Sequence, residues 1–368
     1  MAKLGDVFPL VRNGASIRQT DGASGIPITR IETISNREID RNKFGYADIT
    51  DSSKYKDYIL QDGDILMSHI NSEKHLGKVA LYRKQGNEQI IHGMNLLMLR
   101  ANPLDVFPPY ATHFFETPTF LMQIQKITKK SVNQASFTVT ALKEIKIPLP
   151  SLDEQRRIAA VLDKVSGLIA KRREQLDKLD ELVKSRFVEM FGDNYTNPRN
   201  LPILKWDDVF ITKTGKLDSN AAVVDGKYPF FTCAKEVLSI DTYAFDQEAL
   251  LLAGNNAAGK YDVKYYEGRF NAYQRTYVLS LKGNWSYKLF KFQLEEKLDY
   301  LQQQSLGGLT KYLTLKILGE LSFLLPPMED QKIFDEFAAQ IDKTKLTIQQ
   351  SLDKLEVLKK ALMQQYFG

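Results

Sequence analysis

The chain has 368 residues, 43% hydrophobic and 26% charged, the balance of an ordinary globular protein with room for two domains, which excludes disordered and collagen-like classes. Lys and Arg number 50 against 45 Asp and Glu, a formal charge of +5, so nucleic-acid binding by bulk charge is excluded and any such contact must be concentrated on chosen surfaces. One cysteine, Cys233, excludes an intramolecular disulfide, and four scattered histidines (His69, His75, His92, His113) show no zinc-ligand spacing.

The opening residues carry Lys3 and Asp6 and lack the apolar core of a signal peptide, and no run approaches the roughly 18 apolar residues of a membrane span. A cytoplasmic, metal-free chain is expected. Residues 1–150 contain short apolar runs punctuated by Gly, Asn and Asp; 64–68 and 96–100 read as strands, and a helix is expected near 110–127. Within this module Phe107-Pro108-Pro109-Tyr110 resembles the Asn-Pro-Pro-Tyr of DNA adenine methyltransferases. Phe107 has no group to bond a flipped base, and no Gly-rich cofactor strand accompanies it, so a loop leading into a helix is predicted.

At Pro150 the period changes. Ser151 and Glu154 have capping-box spacing, and apolar residues at Val165, Ile169, Leu176, Leu179, Val183 and Met190 approach the 3.5-residue repeat of a coiled-coil seam. Gly167 predicts a division between a short leading helix and a long one. Residues 151–192 thus form a central helical spacer, followed by a second module at 193–327 with a strand at 277–281 and a helix near 287–303.

Gly254, Gly259 and Lys260 in that module satisfy most of the phosphate-loop pattern. Tyr261 stands where a hydroxyl should hold magnesium, and the next residues read as a strand rather than a helix whose amides would face phosphates. A nucleotide-binding enzyme using this loop is therefore the alternative reading, and a tandem adaptor that does not bind DNA is a third. No Pro-Asp followed by Glu-x-Lys is present to bind magnesium in a nuclease site, and Cys233 has no nucleophile signature; it reads as small core filling.

The C-terminal segment repeats the central one. Residues 149–192 align without a gap on 325–368, with 11 of 44 pairs identical, including Leu176-Asp177-Lys178-Leu179 with Leu352-Asp353-Lys354-Leu355 and a shared Phe-Gly ending. A second seam runs through Ile341, Ile348, Leu352, Leu355, Leu362 and Tyr366, although Pro327 replaces the capping Ser151. Asp6-Val7-Phe8 also resembles Asp208-Val209-Phe210. A helix leaving module one and another starting at module two are expected to pack antiparallel.

Ile147-Pro148-Leu149-Pro150 followed by Glu154-Gln155-Arg156-Arg157-Ile158, the echo at Leu325-Pro326-Pro327 and Gln331, the Phe-Gly endings, Leu4-Gly5-Asp6-Val7 and Gly63-Asp64-Ile65-Leu66 together carry a resemblance that covers essentially the whole chain. The chain resembles the specificity subunit of type I restriction-modification systems. That resemblance implies an α+β fold: two α/β target recognition domains (1–150 and 193–327) separated by two long helices (151–192 and 328–368) that form an antiparallel coiled coil, with a pseudo-twofold internal repeat. It implies a non-catalytic subunit that reads a bipartite double-stranded DNA target, one half-site per domain. It positions two methyltransferase (modification) subunits and, through them, restriction subunits. No cofactor is expected on this chain; S-adenosylmethionine, ATP and Mg are implied on the partners.

Sequence readout needs Arg, Lys, Asn and Gln against base edges and phosphates. In module one the candidates are Arg12, Arg18 and Arg30 in the opening loops, His69, Asn71, Lys74 and Lys78 in one stretch, and Lys129, Lys130, Asn133 and Gln134 in another. In module two they are Lys213 and Lys216, then Asn255, Asn256 and Lys260, then Gln303, Gln304 and Lys311. Gln155, Arg156, Phe187, Phe191, Gln331, Leu362 and Phe367 are candidate contacts to partner subunits.

Overall fold

Alternating apolar residues in the strands of module one feed two cores. In the computed structural model, which describes residues 1–19, 24–34, 38–131, 134–193, 196–257 and 259–368, strands Leu10–Asn13 (β1), Ile65–Ser68 (β2), Val79–Leu81 (β3) and Leu96–Arg100 (β4) form an antiparallel sheet ordered β1-β4-β2-β3. Ile65, Met67, Leu97 and Leu99 face one cluster, while Leu66, Leu96 and Met98 face another, as the two-residue strand period requires. Helices Pro108–Phe114 (α1) and Pro118–Ile127 (α2) close the first cluster with Tyr110, Phe114, Phe120 and Ile124. The single helix expected here is two because Thr117 caps a fresh start, accepting from the Phe120 N–H at 3.1 Å, with Pro118 at the first helical position.

The helix Leu152–Phe191 (α3) is continuous over 40 residues, so the break expected at Gly167 is absent. A Cβ at Gly167 would meet nothing, and the intrinsic penalty of about 1 kcal/mol is outweighed by the buried stripe Ile158, Leu162, Val165 and Ile169 on either side.

The second module repeats the plan on a larger sheet. Phe210–Thr214 (β5), Tyr228–Phe231 (β6), Leu238–Ile240 (β7), Phe245–Ala253 (β8), Val263–Ala272 (β9) and Thr276–Leu281 (β10) are ordered β5-β10-β8-β9-β6-β7, antiparallel except for the β6–β9 pair. Leu250, Leu252 and Leu279 face one core and Ala249, Leu251 and Val278 the other. Helices Tyr287–Glu295 (α4) and Leu298–Gln304 (α5) follow, and Met328–Phe367 (α6) is the second 40-residue helix.

Compact packing groups Met1–Arg173 with Gln350–Gly368 as one unit and Glu174–Gln349 as another. Each unit therefore contains the start of one long helix and the end of the other, running antiparallel. In the first, Ile158, Ala159 and Leu162 pack with Leu362, Met363, Tyr366 and Phe367, and Arg173 pairs with Glu356 at 2.7 Å. In the second, Phe187 and Phe191 pack with Phe334 and Ala338, and Lys345 pairs with Asp180.

The identical Pro and Gln of the repeat explain how each long helix is fixed to its module. Gln155 is fully buried: its Oε1 accepts from the Phe107 N–H, and its Nε2 donates to the carbonyls of Asp105 and Pro150, each at 2.9 Å. Gln331 repeats this, accepting from the Ser286 N–H at 3.0 Å and donating to the Pro326 carbonyl at 2.8 Å. Each amide ties the start of a long helix to the start of the first module helix, α1 or α4, and to the carbonyl five residues before it. Phe107-Pro108-Pro109-Tyr110 belongs to the same joint, since the Tyr110 hydroxyl donates to the Pro148 carbonyl at 2.9 Å.

Candidate nucleic-acid interface

Backbone pairing brings the polar stretches of module one together. Just past β2 the chain runs on as Ile70–Asn71, which pairs with Ala135–Ser136, and that segment pairs in turn with Lys129–Lys130. This small sheet therefore displays Asn71, Lys129, Lys130 and Gln134, with Lys74 and Lys78 on the turn between β2 and β3. Lys129, Lys74 and Gln134 are exposed, Lys78 is half-buried, and Lys130 pairs with Glu73 at 2.9 Å. His75 is held below its ordinary pKa, first by burial and then by Lys78 and Lys74. Asn133 lies outside the described residues.

The second module builds the same feature with different residues. Asn255–Asn256, which follows β8, pairs with Lys311–Tyr312. The registers align residue by residue: Ser68 lies opposite Leu96 as Ala253 lies opposite Thr276, and the Phe137 N–H reaches the His69 carbonyl as the Leu313 N–H reaches that of Gly254. Asn255 and Asn256 thus occupy the places of Ile70 and Asn71, and Lys311 that of Ala135. Lys260 and the Gln303-Gln304 pair at the end of α5 are exposed. Lys260 donates its backbone N–H to Asn256 Oδ1 at 3.3 Å.

After Lys260 the chain enters β9, so the loop lacks the helix N-terminus that a phosphate loop needs. Gly254 has a different reason. A Cβ there would lie 2.3 Å from the Arg275 carbonyl oxygen, because the turn between β9 and β10 closes against it.

A concave surface in this module joins Thr214, Gly254, Asn255, Gln274, Arg275, Thr310 and Tyr312. A neighbouring hollow adds Lys213 and Lys216, and Thr214 and Tyr277 border both. Among the described residues no carboxylate lines either one. Gln274, Arg275, Thr310 and Tyr312 were not among the sequence candidates, because a hairpin turn is recognisable as a turn without revealing which loop it faces.

The opening-loop candidates divide. Arg18 and Arg30 are exposed, whereas Arg12 is half-buried, with its guanidinium 4.0 Å from the centre of the Tyr58 ring and a bond to the Asp57 carbonyl. His69 is 4% exposed, near the Phe137 ring, and burial pushes it down to about 4; it is a neutral core residue and not a DNA-facing one.

Most of the proposed partner contacts also turn inward. Gln155 and Gln331 hold the helix starts, Phe187 and Phe191 fill an aromatic core with Phe292 and Phe334, and Phe367 packs 5.1 Å from the Tyr110 ring. Leu362 is half-buried against the same core as Phe367, which leaves Arg156 exposed beside Asp153. An amphipathic sequence marks these residues as interacting without telling an intramolecular neighbour from another subunit.

Residues 1–180 and 198–357 match the model of the type I restriction modification DNA specificity domain. The chain belongs to that family. Among curated specificity domain proteins it is 42% identical, over 193 residues, to one named type I restriction enzyme MjaX specificity subunit from Methanocaldococcus jannaschii, covering 51% of this chain and 44% of that one. It is 37% identical over 157 residues to the EcoDI specificity subunit of Escherichia coli, covering 41% and 34%. The chain thus spans less than half the length of the curated relatives it matches. The crystal structure of a type I restriction-modification S subunit from M. genitalium superposes with a TM-score of 0.65 at 15% identity, covering 100% of this chain and 95% of that one, a likeness of fold.

Among the described residues no helix is long and apolar enough to cross a membrane, and no group of three or more His, Cys, Asp or Glu side chains is placed to hold a metal ion.

Proposed function

We propose that this specificity domain chain is the DNA-reading subunit of a type I restriction-modification complex, with each module reading one half of a bipartite duplex target. The observation that carries this reading is the duplicated frame. In both modules the strand before the loop, the turn before β4 or β10 and the short strand that pairs with the loop occupy matching registers, while the exposed side chains differ. Two copies of one scaffold with different displays are what a two-part, asymmetric target requires.

The chain carries no catalytic group in this reading. It orients two modification subunits, which hold S-adenosylmethionine, and restriction subunits, which use ATP and Mg, and it works in the cytoplasm. The weak basicity means that the chain alone binds DNA loosely, with partners supplying many phosphate contacts. The Gly254–Lys260 loop continues into a strand, which disfavours the nucleotide-binding alternative.

The test is to co-express the chain with its modification subunits and map methylated adenines by single-molecule sequencing. A bipartite motif with a fixed gap is the expected result. A verified complex that methylates without sequence preference refutes the reading and favours a tandem adaptor.

A further inference from the structure

The turn at Gln274-Arg275 is held by four hydrogen bonds. The Gln274 N–H donates to the Leu217 carbonyl at 2.9 Å, the Thr276 N–H to the Tyr273 carbonyl at 2.8 Å, and the Gly254 N–H to the Arg275 carbonyl at 2.8 Å. The Cys233 thiol donates to that same carbonyl at 3.4 Å. Gly254 is the residue that permits this closure, as its missing Cβ leaves room for the Arg275 carbonyl.

On this fixed backbone the Arg275 side chain is exposed and, among the described residues, makes no ion pair. The surface around it presents Thr214, Asn255, Gln274, Thr310 and Tyr312, with no acid among the described residues that line it. The Asp218 carboxylate accepts a long bond from Gln274 at 3.5 Å and also caps its own turn at the Asn220 N–H. A guanidinium fixed at its root and left unneutralised in a polar hollow matches the acceptor pair that guanine presents in the major groove.

Module one has a turn at the matching register, with other residues and a different backbone conformation. The Met94 N–H donates to the Ala15 carbonyl as the Gln274 N–H does to that of Leu217, which places Met94 and Asn95 opposite Gln274 and Arg275. His69 stands where module two has Gly254, and Asn95 takes a positive φ of 76° in this version of the turn. Asn tolerates that conformation, and its amide offers the donor and acceptor that adenine needs.

Resting on the DNA-reading function proposed above, we infer that this pair of equivalent turns determines specificity: Arg275 reads a guanine in one half-site and Asn95 an adenine in the other. The experiment uses the chain co-expressed with its modification subunits and compares methylation at sites that differ from the wild-type motif by one base. Arg275→Ala and Arg275→Lys are expected to lower discrimination at one G·C pair of one half-site by on the order of 10- to 100-fold, leaving the other half-site fully specified. Asn95→Asp keeps a residue type that tolerates positive φ but removes the amide donor, and is expected to relax one A·T pair of the opposite half-site.

The unaffected half-site is an internal control for folding and assembly. An unchanged motif, an equal loss at every base, or relaxation confined to a different kind of base pair overturns the inference while a bipartite wild-type motif upholds the DNA-reading function. A wild-type complex without any motif overturns both.

Discussion

Gln155→Ala separates an internal joint from a partner contact. The substitution removes one acceptor and two donated bonds at once, leaving the Phe107 N–H and the carbonyls of Asp105 and Pro150 without their protein partner. Stranding a buried polar group costs about 1–3 kcal/mol, and Gln155 is fully buried, so at the lower bound for its three bonds a total of about 3 kcal/mol is expected. For a unit of this size that corresponds to a fall in melting temperature of roughly 6–12 °C. Gln331→Ala loses two such bonds and should cost about 2 kcal/mol in the other unit. Gln155→Glu adds a sign test. The introduced carboxyl must be protonated to donate to either carbonyl, so its pKa is raised in the folded state. The stability it retains is present at low pH and lost as pH rises through that raised value. Calorimetry at pH 5 and pH 8, with hydrogen exchange to assign each transition to its unit, gives the answer. A Gln155→Ala chain that melts like wild type yet fails to assemble with modification subunits would refute the joint and restore the partner contact.

Phe367→Ala should destabilise the first unit by about 3–5 kcal/mol, measured by denaturant unfolding, because the ring is buried against Tyr110 and Phe114. Arg173→Ala should cost less than about 1 kcal/mol in the same assay, since its pair with Glu356 is exposed. Burial pushes His69 and His92 down to about 4, so as pH falls below 6.5 the unfolded chain takes up protons first. The first unit then loses about 1.4 kcal/mol per pH unit for each histidine. In the second unit, burial raises Glu295 and Asp335, which favours its folded state at the lower pH. Opening free energies from hydrogen exchange over β4 and β10 should diverge between pH 7 and pH 5; a parallel response rejects this assignment. Lengthening both long helices by one heptad at matched positions should alter the gap in the methylated motif and preserve its half-sites, as read by adenine mapping. An unchanged gap rejects helix length as the ruler.

The α+β class, the internal repeat and the antiparallel helices were legible because a helical seam is local: Leu352, Ile341 and Val165 declare their face by spacing alone. Gly167 misled because helix propensity is a weak term beside a buried stripe. The repeat within the modules was legible only in part, at Asp6-Val7-Phe8 and Asp208-Val209-Phe210, since the rest resides in backbone register, which tolerates His69 in one copy and Gly254 in the other. The site was half legible for the same reason. Polar stretches were visible, but nothing local showed that Asn71 and Lys129 share a small sheet, or that Arg275 and Asn255 line one hollow. Gln155 and Gln331 were read as partner contacts, whereas each bonds to backbone of its own module, because a side chain bonded to distant backbone groups leaves no periodic trace.

The first unit is discontinuous, and that has a consequence for the order of synthesis. Tyr110 and Phe114 are made early, whereas the ring that packs on them belongs to Phe367, beyond the whole of Glu174–Gln349. At about 5–20 residues per second, the ribosome takes roughly 10–40 s to travel from Arg173 to Phe367. During that interval the nascent first unit holds an open aromatic slot, while the second unit has both of its helix segments as soon as Gln349 emerges. The later-made unit is thus the first able to close, and the earlier one waits with an apolar surface that chaperones can reach.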